Sequence, residues 1–298
     1  MASTVASVLA KLKNKSIIEG IQLHQVINLF CQEEFIRRLS HSKYKKNLIL
    51  KGGFLLYSLS GFTARPTVDT DYLLKNYPSS LDTIEKLVSE VISLPSKNNY
   101  INLKIRGFEV IGETREYHGV RANIIGLIGH TKTPFSIDFG IGDIVIPSAV
   151  IRRLPVILPE FEQPEILTYS LESIVAEKLD AIISLMEVTG RMKDFFDIHY
   201  LATTFDFDGR KLQEAIFVTL SNRGTPYEQD TVKDILRLAE DVEIQNRWKN
   251  FCKKVLKYEL DFRQVVEVLI DFVLPPYKSM IYENEFFKTW RHKDRKYI

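Results

Sequence analysis

Cysteine is nearly absent from this chain, and the two present, Cys31 and Cys252, lie far apart in apolar-periodic surroundings. That excludes a disulfide framework and a thiolate metal centre, and it predicts two small buried side chains. The six histidines show no ligand spacing and suggest no zinc site. No stretch approaches the ~20 apolar residues of a membrane span. Val5, Val8, Leu9 and Leu12 stand at helical spacing near the N-terminus and do not form the continuous apolar core of a signal peptide. These absences predict a cytoplasmic protein with no membrane partner. An excess of one charge is also missing, with 40 Lys and Arg against 38 Asp and Glu, so any nucleic-acid surface must be a local patch. The Gly-x4-Gly-Lys-Ser/Thr spacing of a P-loop does not occur.

What is present begins with enough apolar material for sizeable cores: 298 residues at 45% hydrophobic, a length that favours two domains. The first 46 residues carry apolar stripes near period 3.6 (Ile17, Ile21, Val26, Phe30, Phe35, Leu39) and read as helices, followed by a basic segment from Arg37 to Lys46. Leu48–Leu50 reads as a short strand ending at Gly52-Gly53, Phe54–Leu59 as a helix stopped by Gly61, and Leu81–Leu94 as another helix. Pro66 fixes the entry to an extended segment carrying Asp69 and Asp71. From Tyr100 to Val145 the pattern becomes strands. In the last, Phe135, Ile137 and Phe139 share one face and leave Ser136 and Asp138 on the other. Pro147, Pro155, Pro159 and Pro164 punctuate a linker-like stretch, which places a domain boundary near residue 165. Beyond it the chain reads mostly as helix, so the fold class is α+β with a helical partner domain.

Asp69 and Asp71 are the chemical centre of this pattern. Alternate strand residues point to one face, and two carboxylates side by side are unfavourable unless a cation lies between them. A divalent metal with hard-oxygen preference resolves the repulsion, and Mg²⁺ keeps coordination sites for substrate phosphates. Gly52 and Gly53, ahead of a helix, would let backbone amides approach a triphosphate. Lys178 is the second signal. Ser170 is a plausible N-cap, and Ile174, Lys178 and Ile182 fall on one buried stripe, so the lysine must snorkel, pair with a carboxylate or meet a phosphate. Asp194 and Asp197, at i and i+3, are neighbours on a later helix; a solvated pair with Lys193 is the simpler alternative. Basic–aromatic runs at Arg247-Trp248-Lys249 to Lys257 and at Lys288 to Lys296 would suit a phosphate backbone with base stacking, or equally solvated helix faces and a charged tail.

Three motifs in order carry a family resemblance: Lys51-Gly52-Gly53-Phe-Leu…Arg65-Pro-Thr67-Val-Asp69-Thr-Asp71, Ser170-Leu-Glu-Ser-Ile-Val-Ala-Glu-Lys178, and Arg191-Met-Lys193-Asp194-Phe-Phe-Asp197. Together they resemble the AbiEii/AbiGii toxins, within the nucleotidyltransferases typified by DNA polymerase β. Gly53 departs from the pattern, since many members carry serine there. The resemblance implies a polymerase-β-like nucleotidyltransferase domain with a mixed sheet over residues 1–165. It implies a helical domain over 166–298 that brings Lys178 and Asp194 to the cleft. It further implies Asp69 and Asp71 as metal ligands, with Asp138, or less favoured Asp143, as third carboxylate and proton acceptor. Lys51, Gly52, Gly53, Arg65, Thr67 and Lys178 are the expected nucleotide-binding residues. Mg²⁺, with Mn²⁺ as substitute, is the expected cofactor and a nucleoside triphosphate the substrate. An RNA acceptor, such as a tRNA 3′ end, and a cognate antitoxin encoded alongside are the expected partners, in phage defence by abortive infection. Transfer to a protein or small molecule, or a non-catalytic nucleotide-binding module, are the alternatives.

Overall fold

The structure is a computed structural model that describes residues 4–61, 65, 67, 69–111, 119–256 and 258–298. Pro66, on which the entry to the Asp69 segment was expected to turn, lies outside the described residues, as do Met1–Ser3 and Lys257. The chain divides into two compact units, one of residues 1–142 and 150–168, the other of residues 143–149 and 169–298.

The first unit opens with helices α1 (Val5–Glu19) and α2 (Leu23–Ser40). Thr4 caps α1 by accepting the Ser7 amide, and Gly20 ends it in the left-handed conformation. Then come β1 (Leu48–Lys51), α3 (Gly52–Leu59), β2 (Thr70–Leu74), α4 (Leu81–Ser93), β3 (Asn102–Ile111), β4 (Gly119–Ile128) and β5 (Thr131–Gly140). The stretch expected to be a linker instead contains β6 (Val150–Arg153) and β7 (Glu165–Thr168). Its prolines flank these four-residue strands, which is why they read as punctuation.

The seven strands form one mixed sheet in the order β3-β4-β5-β2-β1-β7-β6, with β2 parallel to β5 and β1 parallel to β7. One sheet face is apolar: Tyr72, Ala122, Ile124, Ile137 and Phe139 are fully buried. Helix α2 covers it, with Phe35 against the Tyr72 ring and Cys31 so close to Gly126 that a methyl there would overlap the sulfur. Each fully buried side chain of this size contributes roughly 1.5–3 kcal/mol. The expectation for Cys31 holds: it is buried and free, and burial pushes its thiol up to about 12.

The basic segment is partly interior. Arg37 is fully buried between Glu33 and Glu34, while Arg38 reaches from Glu34 to the backbone of Ile92 and Ile101. This network clamps α2 to its neighbours and is not a free cationic patch.

The second unit is mainly helical: α5 (Leu171–Leu185), α6 (Met192–Thr204), α7 (Gly209–Asn222), α8 (Thr231–Leu238), α9 (Val242–Phe251) and α10 (Phe262–Ile281). Three short strands, β8 (Phe207–Asp208), β9 (Thr289–Arg291) and β10 (Lys296–Tyr297), add a small sheet. Ser170 caps α5 as expected, accepting from the Ser173 amide. Both tryptophans of the basic–aromatic runs are core residues. Trp248 donates to the Leu260 carbonyl and Trp290 to the Ala202 carbonyl, both from buried positions, so neither ring is a stacking platform for bases. Arg291 and His292 are held by Asp206.

Candidate active site

The sheet face opposite α2 carries the polar residues. Around β2, burial alternates: Thr70 and Tyr72 face the core, while Asp69 and Asp71 are half-buried on the open side. Thr70 donates its hydroxyl to Gln32 on α2, and Gln32 in turn binds Asn28, so the residue between the two carboxylates is pinned from the core.

Strand register then assembles two rows across the open face. Glu109 pairs with Arg121, Arg121 with Asp138, Asp138 with Asp71, and Asp71 with Lys51. One step along the strands, Gly107 pairs with Asn123 and Asn123 with Ser136. Ser136 donates to Asp69 at 2.6 Å. Paired residues share a face, so Asp138 and Asp71 stand side by side on the open face, flanked by Arg121 on one side and Lys51 on the other.

Glycine determines how close the turn comes to the carboxylates. Gly52 has φ +70°, and a methyl on it would overlap the Asp71 carboxylate, with Cγ only 2.8 Å away. A methyl on Gly53 would lie 2.8 Å from the Thr67 hydroxyl and 3.4 Å from Arg65 Nη1. The Thr67 hydroxyl beside Gly53 donates to the Asp69 carbonyl at 3.2 Å. Gly52 and Gly53 open α3, where the first amides of a helix have no partner within it.

Asp138 is not idle. Arg121 forks onto both its oxygens at 2.7 and 2.8 Å. Those bonds, and then the charges of Asp138, Asp69 and Glu109, hold the guanidinium above its ordinary range against the cost of desolvation. Among the described residues no group of three or more His, Cys, Asp or Glu stands ready to hold a metal ion. Two carboxylates beside a glycine turn still suit a hard divalent cation that keeps its remaining positions for waters and phosphate oxygens.

In the second unit, Lys178 is buried on α5 and pairs with Asp194, at 3.1 Å, and with Asp197. Asp194 is fully buried and also accepts from the exposed Arg191, so Asp194 and Asp197 form an interior ion cluster with Lys178 and are not on a solvated helix face. Burial alone would raise the Asp194 carboxyl, but Lys178 and Arg191 outweigh it and hold the group below its usual range. Asp143 belongs to this unit, where Arg223 grips it together with Asp180 and Glu177.

The family model described as the nucleotidyl transferase AbiEii toxin of a type IV toxin–antitoxin system matches residues 34–268, well over half the chain. The chain belongs to that AbiEii family. It is therefore a nucleotidyltransferase that takes a nucleoside triphosphate and the toxin of a toxin–antitoxin pair. No curated protein matches it. A solved structure of a candidate nucleotidyltransferase from H. pylori is similar over 89% of this chain and 100% of its own, at 14% identity and a TM-score of 0.51. JHP933 from Helicobacter pylori is similar over 85% and 91%, at 14% identity and a TM-score of 0.47. The first likeness supports the fold alone. No helix among the described residues is long and apolar enough to cross a membrane.

Sequence reasoning about this AbiEii chain missed Arg121, Ser136 as the Asp69 partner, and Arg223. The signal for Arg121 was present. Gly129-His130 between alternating apolar runs is a two-residue hairpin loop, and counting outward from it sets Arg121 opposite Asp138.

Proposed function

We propose that this toxin transfers a nucleoside monophosphate from a nucleoside triphosphate to an RNA 3′ hydroxyl in a Mg²⁺-dependent reaction, and that a tRNA 3′ end is the acceptor whose loss arrests growth in phage defence. The observation carrying this reading is the Asp69/Asp71 pair set on an open sheet face against a glycine turn that no side chain could occupy. Asp69 and Asp71, with Asp138 held in position by Arg121, would hold Mg²⁺, which supplies charge neutralisation at the triphosphate. The Gly52 and Gly53 amides, Lys51, Arg65 and the Thr67 hydroxyl bind phosphate oxygens. Lys178, oriented by Asp194, offsets the charge that builds on departing pyrophosphate. The acceptor hydroxyl forms a new bond to the α-phosphorus as the bond to pyrophosphate breaks, and its proton passes to Asp138. The cytoplasm is where this reaction would run, beside a cognate antitoxin.

The test incubates wild type and Asp71→Ala with Mg²⁺, total RNA and each α-³²P nucleoside triphosphate in turn. Label in a defined RNA band for wild type alone is the expected result. Equal labelling by Asp71→Ala would overturn the mechanism, and label on protein would overturn the RNA acceptor.

A further inference from the structure

An open pocket of about 520 Å³ lies on the first unit's sheet, beginning at Asp69 and extending over β5, β4 and β3. Its floor is the row Asp69, Ser136, Asn123 and Gly107, the last without a side chain. Glycine is not needed there for backbone reasons. A methyl at Gly107 would meet no atom within 4 Å, so the space above it is empty. Next to it the β3–β4 register slips between Ile105 and Gly107, leaving Arg106 as the extra residue of a bulge. Bulges of this kind re-aim side chains beside functional sites. Arg106 is exposed, lines the pocket and has no hydrogen-bond or ion-pair partner among the described residues. Glu109, also on the rim, accepts from Asn123 at 3.3 Å.

Strand order gives this pocket a direction. In the sequence β3-β4-β5-β2-β1, the carboxylates of β2 stand between the glycine turn that follows β1 and the pocket over β5 to β3. Phosphoryl transfer needs the attacking and leaving oxygens roughly in line on opposite sides of phosphorus. With the triphosphate over the glycine turn, the acceptor must come from the other side.

Resting on the function proposed above, we infer that this pocket is the acceptor subsite and holds the terminal nucleotide of a single-stranded RNA end. The base lies over Gly107 and the sugar over Ser136, with its hydroxyl directed to Asp69. Asn123 and Glu109 hydrogen-bond the ribose or base edge, and Arg106 binds the preceding phosphate. A cavity of this volume suits one nucleotide, within the range of small-ligand sites. The exposed Arg106 guanidinium can offer a phosphate two parallel charge-assisted hydrogen bonds.

The test measures binding without turnover. The full chain, with Mg²⁺ and no nucleoside triphosphate, is titrated against a short single-stranded RNA with a 5′ fluorescein and a free 3′ end, read by anisotropy. Gly107→Phe fills the floor at a position with room for a side chain. Arg106→Glu changes only an exposed charge, and thermal melts confirm that both variants fold. Each is expected to weaken RNA binding about tenfold or more, and Arg106→Glu to flatten the log–log salt dependence by at least about 0.7. Calorimetry with the four α,β-methylene nucleoside triphosphates in turn is expected to give unchanged affinities. Three results would overturn the assignment: no RNA binding by wild type, RNA binding untouched in both variants, or loss of triphosphate binding in their place. Equal RNA labelling by wild type and Asp71→Ala would instead defeat the catalytic reading and leave the binding result standing.

Discussion

Replacing Gly52 with alanine tests whether the glycine turn exists for the Asp71 carboxylate. Two costs arise, and the structure separates them. First, φ +70° is left-handed backbone, which costs an L-residue with a side chain roughly 1–2 kcal/mol. At about 2–4 °C per kcal/mol for a unit of this size, the melting transition should fall by about 2–8 °C. Second, the new methyl cannot coexist with the carboxylate of Asp71, whose Cγ would be 2.8 Å away. The acid is short and its strand is pinned through Thr70, so it must turn away from its present position. A displacement of about 1 Å at a reacting centre costs on the order of 10²-fold in rate. Gly20→Ala is the control. Gly20 has φ +64°, and its methyl would meet nothing within 4 Å, so it carries the backbone cost without the collision. Both variants should lose similar stability by calorimetry, while only Gly52→Ala loses nucleotidyl transfer at saturating triphosphate. Equal activity in the two variants would show that Asp71 is not held by the turn and would refute the reasoning.

Two further outcomes follow from the ion pairs. Arg121→Ala frees Asp138 from its fork; with Arg121 about one-third exposed, stability should change by no more than about 1 kcal/mol. The turnover rate should fall on the order of 10-fold, as when an orienting partner is removed, and an unchanged kcat would show that the fork does not position Asp138. Lys178→Met strands Asp194 with Arg191 alone and should destabilise the second unit by about 3–5 kcal/mol, read by calorimetry. The pH dependence has a definite sign. In wild type the Asp194 carboxyl is held below its usual value, so its contribution is present above about pH 4 and lost as pH falls through the lowered value. Lys178→Met should show the opposite slope, gaining stability as pH drops from 7 toward 5 and the stranded carboxylate takes up a proton. A variant as stable as wild type at pH 7 would mean that Asp194 does not depend on Lys178.

What could be read in the chain, and what could not, divides by sequence distance. Alternation within β5 put Asp138 on the polar side of its strand before any neighbour was known, and burial of Phe135, Ile137 and Phe139 agrees. Ser170 capping α5, and the interior position of Lys178 on it, followed from one helical period. The partners of those residues did not follow, because a lysine on a buried stripe predicts some carboxylate without saying which. The second strand pair, β6 and β7, escaped notice because four-residue strands between prolines carry too little alternation to outweigh the turn signal. The tryptophans misled for a different reason: Trp248 and Trp290 lie among basic residues in sequence, yet their rings turn inward to backbone carbonyls while the charges stay outside.

Arg121 shows that long range does not mean illegible. Its pairing with Asp138 spans the β4–β5 hairpin, but register propagates without slippage from the Ile128–Thr131 closing pair, seven residues on each side. A tight hairpin therefore converts a local turn signal into a remote contact. The same logic fails one strand further out, where the bulge at Arg106 breaks the count. The chain thus hides its acceptor-side pocket at the one place on these three strands where pairing departs from simple alternation. That irregularity turns Arg106 outward and leaves open space over Gly107, so the feature that defeats sequence reading is also the one that makes room for a ligand.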